Sequence, residues 1–165
     1  MLLSGWFELT IDSKNRVSIP HPCRAKLNAD TDGRSFYVLP GHRRGTLAIY
    51  PDRYFESLRH RPPPPSNAEV VHEWRQFEFS QTFLIDPDSQ GRILIPERLL
   101  KRAGIGKEVT LIGVEDHLEL WPRETYDAFV AEKWPEYPKQ RNDAEEEYER
   151  RNPPAAEQVG SPNEV

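Results

Sequence analysis

The chain has 165 residues, enough to bury a hydrophobic core, and 36% of them are hydrophobic while 30% are charged. This composition is typical of a soluble globular protein, and no run approaches the roughly 18 apolar residues that a membrane span needs. The single cysteine, Cys23, excludes an internal disulfide bond and fits a reducing compartment. We therefore expect a cytoplasmic protein without a signal peptide.

The charge is unevenly distributed along the chain. The formal net charge of −5 looks unfavourable for a nucleic-acid-binding protein. However, residues 136–165 hold eight acidic and four basic residues, whereas residues 1–50 hold seven basic and four acidic residues. DNA binding through a local basic patch in the first half therefore remains compatible with the composition, although a strongly basic surface is excluded.

One motif occurs twice in the chain, at a constant offset of 76 residues. Each copy consists of an apolar run, the pattern Asp-Ser-x-(Asn or Gly)-Arg, and then hydrophobic-x-Ile-Pro. Apolar alternation on both sides of a polar turn is typical of a β-hairpin. The sequence therefore predicts two hairpins, at residues 7–19 and from about residue 83, and each presents an arginine, Arg16 or Arg92, at the start of its return strand.

The residues of each turn fit a tight reversal of the chain. Aspartate at the first turn position accepts hydrogen bonds from backbone N–H groups, so we assign Asp12 and Asp88 to turn stabilisation. Gly91 tolerates positive φ without steric strain, and Asn15 is the next-best residue for this position. We also expect each aspartate to pair with the arginine four residues later. That ion pair either positions the arginine for DNA or only pins the hairpin.

The other predicted elements follow in chain order. In the first half they are a short helix at 21–28, strands at 36–39 and 46–50 separated by a loop at 41–45, and a helix at 52–60. A proline-rich spacer at 61–65 and a helix ending near residue 77 then join the halves. In the second half we expect a helix at 97–103, strands at 108–114 and 117–121, and a helix at 123–134. Beyond residue 135 the apolar periodicity ends.

On these motifs the chain resembles the MraZ family, which are bacterial regulators built from two AbrB-like swapped-hairpin repeats. The resemblance rests on the paired turns with their hydrophobic-x-Ile-Pro flanks, on Arg24 after the first proline, and on Leu-Glu-Leu-Trp-Pro at 118–122. It covers roughly residues 1–135. The chain departs from the family pattern at Asn15, where glycine is usual, and in its proline-rich segment and acidic tail.

The resemblance implies an α+β fold in which two pseudo-symmetric swapped-hairpin repeats form one small β-barrel flanked by short helices. The expected organisation has four parts. They are a first AbrB-like repeat at 1–60, a proline-rich linker and connecting helix at 61–78, a second AbrB-like repeat at 79–135, and a disordered acidic tail at 136–165 with transient helix at most.

The resemblance also implies a function. MraZ-like proteins are nucleoid-associated, ring-shaped homo-oligomers that bind tandem repeats in double-stranded promoter DNA, usually as repressors of the gene cluster for cell division and cell-wall synthesis. The residues expected to bind DNA are Arg16, Arg92, Lys14 and Arg24. Candidate interface residues between subunits are Trp74, Tyr126 and Trp134, although their positions on predicted helices favour packing in a core. Neither a cofactor nor a metal is implied.

Other functions are less well supported by the residues. An oligomeric protein-interaction scaffold without DNA binding is favoured by the acidic balance and by Asn15, and an AbrB-like antitoxin remains a further alternative. Asp12 and Asp88 are related by the repeat and could form a hydrolytic dyad, but each is followed closely by an arginine at an exposed turn. The five histidines lack metal-ligand spacing. We therefore do not expect an enzyme.

Overall fold

The computed structural model describes residues 1–59 and 68–151. The predicted proline-rich spacer at 61–65 lies outside these ranges, as does the end of the predicted tail. Two compact units are present, Met1–Tyr126 and a second unit that begins at Asp127. No helix within the described ranges is long and apolar enough to cross a bilayer.

The described residues form an α+β fold. The strands are β1 (Trp6–Thr10), β2 (Arg16–Ser18), β3 (Phe36–Pro40), β4 (Leu47–Pro51), β5 (Phe83–Ile85), β6 (Arg92–Leu94), β7 (Glu108–Val114) and β8 (His117–Pro122). The helices are α1 (His21–Arg24), α2 (Asp52–Arg59), α3 (Ala68–Ser80), α4 (Glu97–Ala103), α5 (Arg123–Lys133) and α6 (Tyr137–Arg151), with a 3₁₀ turn at Trp134–Glu136.

Six of the strands form one antiparallel sheet in the order β1-β7-β8-β4-β3-β5, and β2 and β6 form a separate two-stranded ribbon. The expectation of a closed barrel is wrong for the part of the chain that is described, because the sheet is open with β1 and β5 at its edges. The short ribbon strands, with three residues each, pair with each other and do not bridge those edges.

The sheet is symmetric with respect to the two halves of the chain. If each of β1–β4 is exchanged with its counterpart among β5–β8, the strand order read from the opposite edge is unchanged. The pair β1–β7 corresponds in this way to β5–β3, and β4–β8 lies at the centre of the sheet. Every strand of the first half except the hairpin partners β3 and β4 is therefore bonded only to strands of the second half. Strands from both halves are thus interleaved within one sheet.

The two predicted hairpins differ from the structure in their strand pairing. The chain reverses at each turn, but β1 pairs with β7 and β2 pairs with β6, so the two arms of a turn belong to different ladders. In the ribbon, Val17 lies opposite Ile93, and both side chains are completely buried. Burial of this apolar pair favours pairing between the two halves over a hairpin that closes on itself.

Side chains along the central strands β4 and β8 point alternately to the two faces of the sheet, and each face carries a buried layer. On one face Leu47 and Ile49 of β4 and Leu118 and Leu120 of β8 join the main core, which also contains the apolar residues of the ribbon and of α4. On the other face Tyr50 packs with Phe55 of α2 in a smaller cluster. The ribbon and the sheet are thereby held together by one hydrophobic core.

Helix α1 is shorter than the predicted helix at 21–28. After Arg24 the chain continues with bonds of the 3₁₀ type, in which Leu27 N–H donates to the carbonyl of Arg24. The N–H of Asn28 donates to the carboxylate of Asp32 instead of to the helix. By contrast, α4 spans the predicted residues and ends where Gly104 adopts a φ of 68°.

The C-terminal segment contains more regular structure than its composition indicates. The sequence predicts a disordered tail from residue 136 with transient helix at 143–151, and in the structure α6 extends from Tyr137 to Arg151. In this helix Nε of Arg141 lies 2.8 Å from Oε1 of Glu145, and Nε of Arg151 lies 2.7 Å from Oε1 of Glu147. Ion pairs between residues four positions apart stabilise a helix. The residues after 151 lie outside the described part of the chain.

Candidate functional site

The carboxylate of Asp12 organises the first turn. Its Oδ1 accepts hydrogen bonds from the backbone N–H groups of Lys14 at 2.8 Å and Arg16 at 3.0 Å. Its Oδ2 accepts from Nε of Arg16 at 2.7 Å and lies 2.7 Å from Nη2 of the same guanidinium. Asn15 has a φ of 60°, in the left-handed region. One carboxylate thus fixes both the backbone of the turn and its arginine.

The second turn repeats this arrangement. Oδ1 of Asp88 accepts from the backbone N–H groups of Gln90 at 2.9 Å and Arg92 at 3.0 Å, while Oδ2 accepts from Nε of Arg92 at 2.8 Å. Nη2 of Arg92 lies 2.7 Å from the same oxygen. Gly91 has a φ of 75°, so it occupies the position that Asn15 occupies in the first turn. The two turns therefore have the same internal bonding.

Backbone hydrogen bonds join the two turns to each other. Ile19 N–H donates to the carbonyl of Gly91 at 2.9 Å, and Ile95 N–H donates to the carbonyl of Asn15 at 2.9 Å. These reciprocal bonds extend the β2–β6 ribbon at both ends. The turns consequently lie side by side in one surface, although they are far apart in sequence.

Four charged groups meet at this surface. Nη1 of Arg16 lies 4.0 Å from Oδ2 of Asp88, so the arginine of one turn also faces the carboxylate of the other. The side chains of Arg16 and Arg92 are 27% and 30% exposed. We call Asp12, Arg16, Asp88 and Arg92 the turn cluster.

The arginines strongly favour the ionised form of both aspartates. Hydrogen bonds from the side chain and the backbone of Arg16 lower the pKa of Asp12 to about 2, and Arg92 lowers the pKa of Asp88 to about 2 in the same way. Both aspartates are therefore charged at neutral pH, and the charges of the turn cluster cancel. A hydrolytic dyad needs one carboxyl with a raised pKa, which these two do not provide.

The other two basic residues expected at the site lie beside the turns. Lys14 belongs to the first turn, where its backbone N–H binds Asp12 and its side chain is exposed. Arg24 donates from Nε to the carbonyl of Ile19 at 2.9 Å. A Cβ atom added at Gly91 would be 2.6 Å from this Nε, so the Arg24 side chain lies directly against the second turn. The structure thus brings all four basic residues to the paired turns.

The candidate interface aromatics have different environments. Trp74 on α3 is 50% exposed, and Trp134 in the second unit is 78% exposed. Tyr126 is half-buried and packs edge-on against Trp121, with 5.8 Å between the ring centroids. Tyr126 therefore has a packing role within its own unit, and Trp74 and Trp134 are the exposed aromatic side chains of the three.

A polar network that the sequence does not predict lies on the other face of the sheet. Nδ1 of His117 lies 2.6 Å from Asp116 Oδ1, and its Nε2 lies 3.5 Å from Glu119 Oε1. The ring stacks on Tyr50, with 4.5 Å between centroids. The alternation of His117 and Glu119 with leucines in β8 was the available signal. No cluster able to hold a metal ion occurs among the residues that the structure describes.

The acidic partners decide the ionisation of this histidine. Burial alone disfavours the charged imidazolium, but the nearby carboxylates of Glu119 and Asp116 outweigh burial and raise the pKa of His117. The proximity of His117 in turn lowers the pKa of Glu119, although Nε2 of His117 makes no hydrogen bond in the described part of the chain. These charged neighbours hold the His117 ring against Tyr50.

Comparison with known proteins adds to this geometry. The family model described as "MraZ protein, putative antitoxin-like" matches residues 79–149, a segment that includes the second turn. The chain is 35% identical over 128 residues to proteins named Transcriptional regulator MraZ from Burkholderia cenocepacia (strain HI2424) and Burkholderia mallei (strain SAVP1). Each alignment covers 77% of this chain and 87% of the relative.

These matches support a transcriptional regulator as the class of protein to which the fold and the paired turns belong. The chain belongs to the MraZ family. The resemblance inferred from the residues alone is thereby confirmed.

Proposed function

We propose that this chain is a sequence-specific DNA-binding transcriptional regulator whose two turns contact promoter DNA through Arg16 and Arg92. The observation that carries this proposal is the joining of the turns by reciprocal backbone bonds, which gives two arginines in one surface. Arginine is the side chain that most often reads guanine, through paired hydrogen bonds to O6 and N7.

The bonding inside each turn supports this role. Asp12 occupies Nε and Nη2 of Arg16, and within the described residues no hydrogen bond engages Nη1. The same holds for Arg92 and Asp88. Each guanidinium is thus held in a fixed position while part of its donor set stays available. A preoriented arginine loses less conformational entropy on binding DNA than a mobile one.

We further propose that the interleaved, symmetric strand order reflects two AbrB-like repeats that have exchanged their hairpin arms. The symmetric order of the sheet and the identical bonding of the two turns support this interpretation. Such an arrangement accounts for the pairing of β2 with β6, since each arm completes the other repeat.

We propose that binding requires several copies of the chain. Each phosphate neutralised by a protein cation changes the logarithm of affinity by about 0.9 per tenfold change in salt, so the few basic residues of one chain give weak binding. A ring-shaped homo-oligomer would align many paired turns with tandem DNA repeats. Exposed Trp74 and Trp134 are the candidate contacts between subunits.

The biological setting proposed from the family is repression of the gene cluster for cell division and cell-wall synthesis. The protein would act in the cytoplasm, at the nucleoid. A DNA site upstream of that cluster would contain short repeats with guanine at regular positions, since each copy of the chain brings two arginines. Direct repeats spaced by about one helical turn fit this arrangement because successive copies then meet the same face of DNA.

A titration against duplex DNA tests the proposal. We expect the protein to bind a duplex from upstream of its own gene more tightly than a scrambled duplex of equal length and composition, and more weakly as salt increases. Equal affinity for the two duplexes would contradict sequence-specific regulation. Light scattering on the same sample, with and without the duplex, tests whether the bound species contains several copies.

A second candidate, an antitoxin, is favoured by the description of the family model that matches residues 79–149. An antitoxin binds a toxin protein as well as DNA. Copurification of a stoichiometric partner encoded beside the gene, together with loss of growth when the chain alone is depleted, would favour this candidate. A homo-oligomer that binds the upstream duplex without a partner would favour the regulator.

A further inference from the structure

We propose that Asp12 and Asp88 are specificity-determining residues, which restrict the turn arginines to base edges and leave phosphate neutralisation to other cations. This inference rests on the proposed DNA binding and deepens it. Both aspartates act through the arginines that they hold, and we therefore regard them as positioning residues.

The first step concerns charge. The turn cluster contains two carboxylates and two guanidinium groups, so its charges cancel. A phosphate that approaches either arginine also meets a carboxylate within 2.7 Å of the guanidinium. Counterion release depends on neutralising phosphate with uncompensated cations. The turn cluster should therefore contribute little to salt-dependent, sequence-independent binding.

The second step concerns direction. Oδ1 of Asp12 is held by two backbone N–H groups of its own turn, so Oδ2 keeps a fixed position beside Arg16. Two charge-assisted contacts to Oδ2 then orient the arginine along its Nε–Nη2 edge. Nη1 of Arg16 faces Asp88 Oδ2 at 4.0 Å but makes no hydrogen bond within the described residues, so the end that carries Nη1 is the remaining route to a hydrogen-bond acceptor. Two acceptors in one plane, as on guanine, suit a fixed guanidinium better than a mobile phosphate does.

Two cations beside the turns are not compensated by the aspartates of the turn cluster. The Lys14 side chain is exposed, and Gln90, at the equivalent place in the second turn, carries no charge. The second turn has Arg24 instead, whose guanidinium lies against Gly91 and donates to a backbone carbonyl rather than to a carboxylate. Each turn therefore has one cation that is not neutralised by its own aspartate. Lys14 and Arg24 are the groups suited to phosphate.

The test compares affinities for the upstream duplex and the scrambled duplex over a series of salt concentrations. The Asp12→Asn variant keeps the shape of the side chain but removes its charge. We expect it to bind the scrambled duplex more tightly, to steepen the salt slope by about 0.9, and to lower the ratio of the two affinities several-fold. Asp88→Asn should behave in the same way.

Two matched variants separate the roles of the cations. Lys14→Gln makes the first turn resemble the second, and we expect a salt slope shallower by about 0.9 with the affinity ratio retained. Asp12→Asn/Arg16→Gln removes the ion pair without changing the net charge of the turn, so it should instead weaken binding of the upstream duplex about 5- to 150-fold and leave the slope unchanged.

The outcomes are distinct. If Asp12→Asn and Asp88→Asn remain folded by circular dichroism but keep the wild-type affinity ratio and slope, the aspartates only stabilise the turns and the inference is wrong. A shallower slope in Asp12→Asn/Arg16→Gln would also overturn it, since the arginine would then neutralise phosphate despite its aspartate. If the wild-type protein does not distinguish the two duplexes, the proposed function itself fails, and the inference fails with it.

Discussion

Nη1 of Arg16 lies 4.0 Å from Oδ2 of Asp88, a carboxylate that belongs to the other turn of the molecule. This contact exists because β2 and β6 pair with each other and not with the strands that precede them. The two turns therefore form one surface. A substitution in the turn of either half should therefore alter the surroundings of both Arg16 and Arg92.

The ribbon core should be essential for stability. Ile93 is completely buried opposite Val17, so Ile93→Ala removes buried methyl groups and leaves a cavity, and we expect it to lower the free energy of unfolding by about 2–5 kcal/mol. The neighbouring Leu94 is 53% exposed, and Leu94→Ala is the matched control. Chemical denaturation measures both. Equal losses would contradict the burial of the ribbon.

A side chain at Gly91 should destabilise the second turn. Its φ of 75° disfavours alanine by about 1–2 kcal/mol, and the new Cβ would also displace Arg24. We expect Gly91→Ala to lower the melting temperature. At Gly106 a Cβ would meet no heavy atom within 4 Å, so Gly106→Ala should be neutral or slightly stabilising. A neutral Gly91→Ala would show that the turn is not held as described.

The aspartates of the turn cluster should stabilise the fold except in strong acid. Because the folded pKa of Asp12 is about 2, below its usual value, its contribution is present above about pH 4 and is lost as pH falls through about 2. The same holds for Asp88. We expect the difference in unfolding free energy between wild type and Asp12→Asn/Asp88→Asn to be constant above about pH 5. A difference that shrinks near neutral pH would contradict the low pKa.

The contribution of His117 to stability should have the opposite dependence on pH. Its pKa is raised, so its contribution is complete below the unfolded value of about 6.5 and is lost as pH rises through the folded pKa. We expect wild type to lose stability on that rise and His117→Gln to lose less. His72→Gln, at an exposed position on α3, should follow wild type. Denaturation at a series of pH values, with NMR titration of the His117 ring, checks both.

Much of the site is local and could be predicted from sequence. Aspartate at the first turn position and a residue tolerant of positive φ at the fourth determine the turn without reference to the rest of the chain, and Asn15 and Gly91 have positive φ in the structure. Strand pairing is not local. The alternation of Phe7, Leu9 and Ile11 indicates a strand and its buried face, but it does not indicate which strand lies beside it.

Two other features depend on partners that are distant in sequence or weakly encoded. The network of His117 requires Tyr54 of α2, whose hydroxyl donates to Asp116 at 2.8 Å across 62 positions. Helix α6 has no buried residue in the described part of the chain, so no apolar periodicity in the sequence indicates it. Pairs of oppositely charged residues stabilise this helix, but a disordered segment can have the same charged composition.

The most direct measurement of the central claim is a titration of the upstream duplex with wild type, with Arg16→Ala/Arg92→Ala, and with Lys139→Ala/Arg141→Ala. The last variant removes the same amount of charge from α6. We expect the turn variant to lose the preference for the upstream duplex over the scrambled duplex, while the α6 variant keeps it. Retention of that preference by Arg16→Ala/Arg92→Ala would contradict the assignment of the paired turns as the DNA-reading surface.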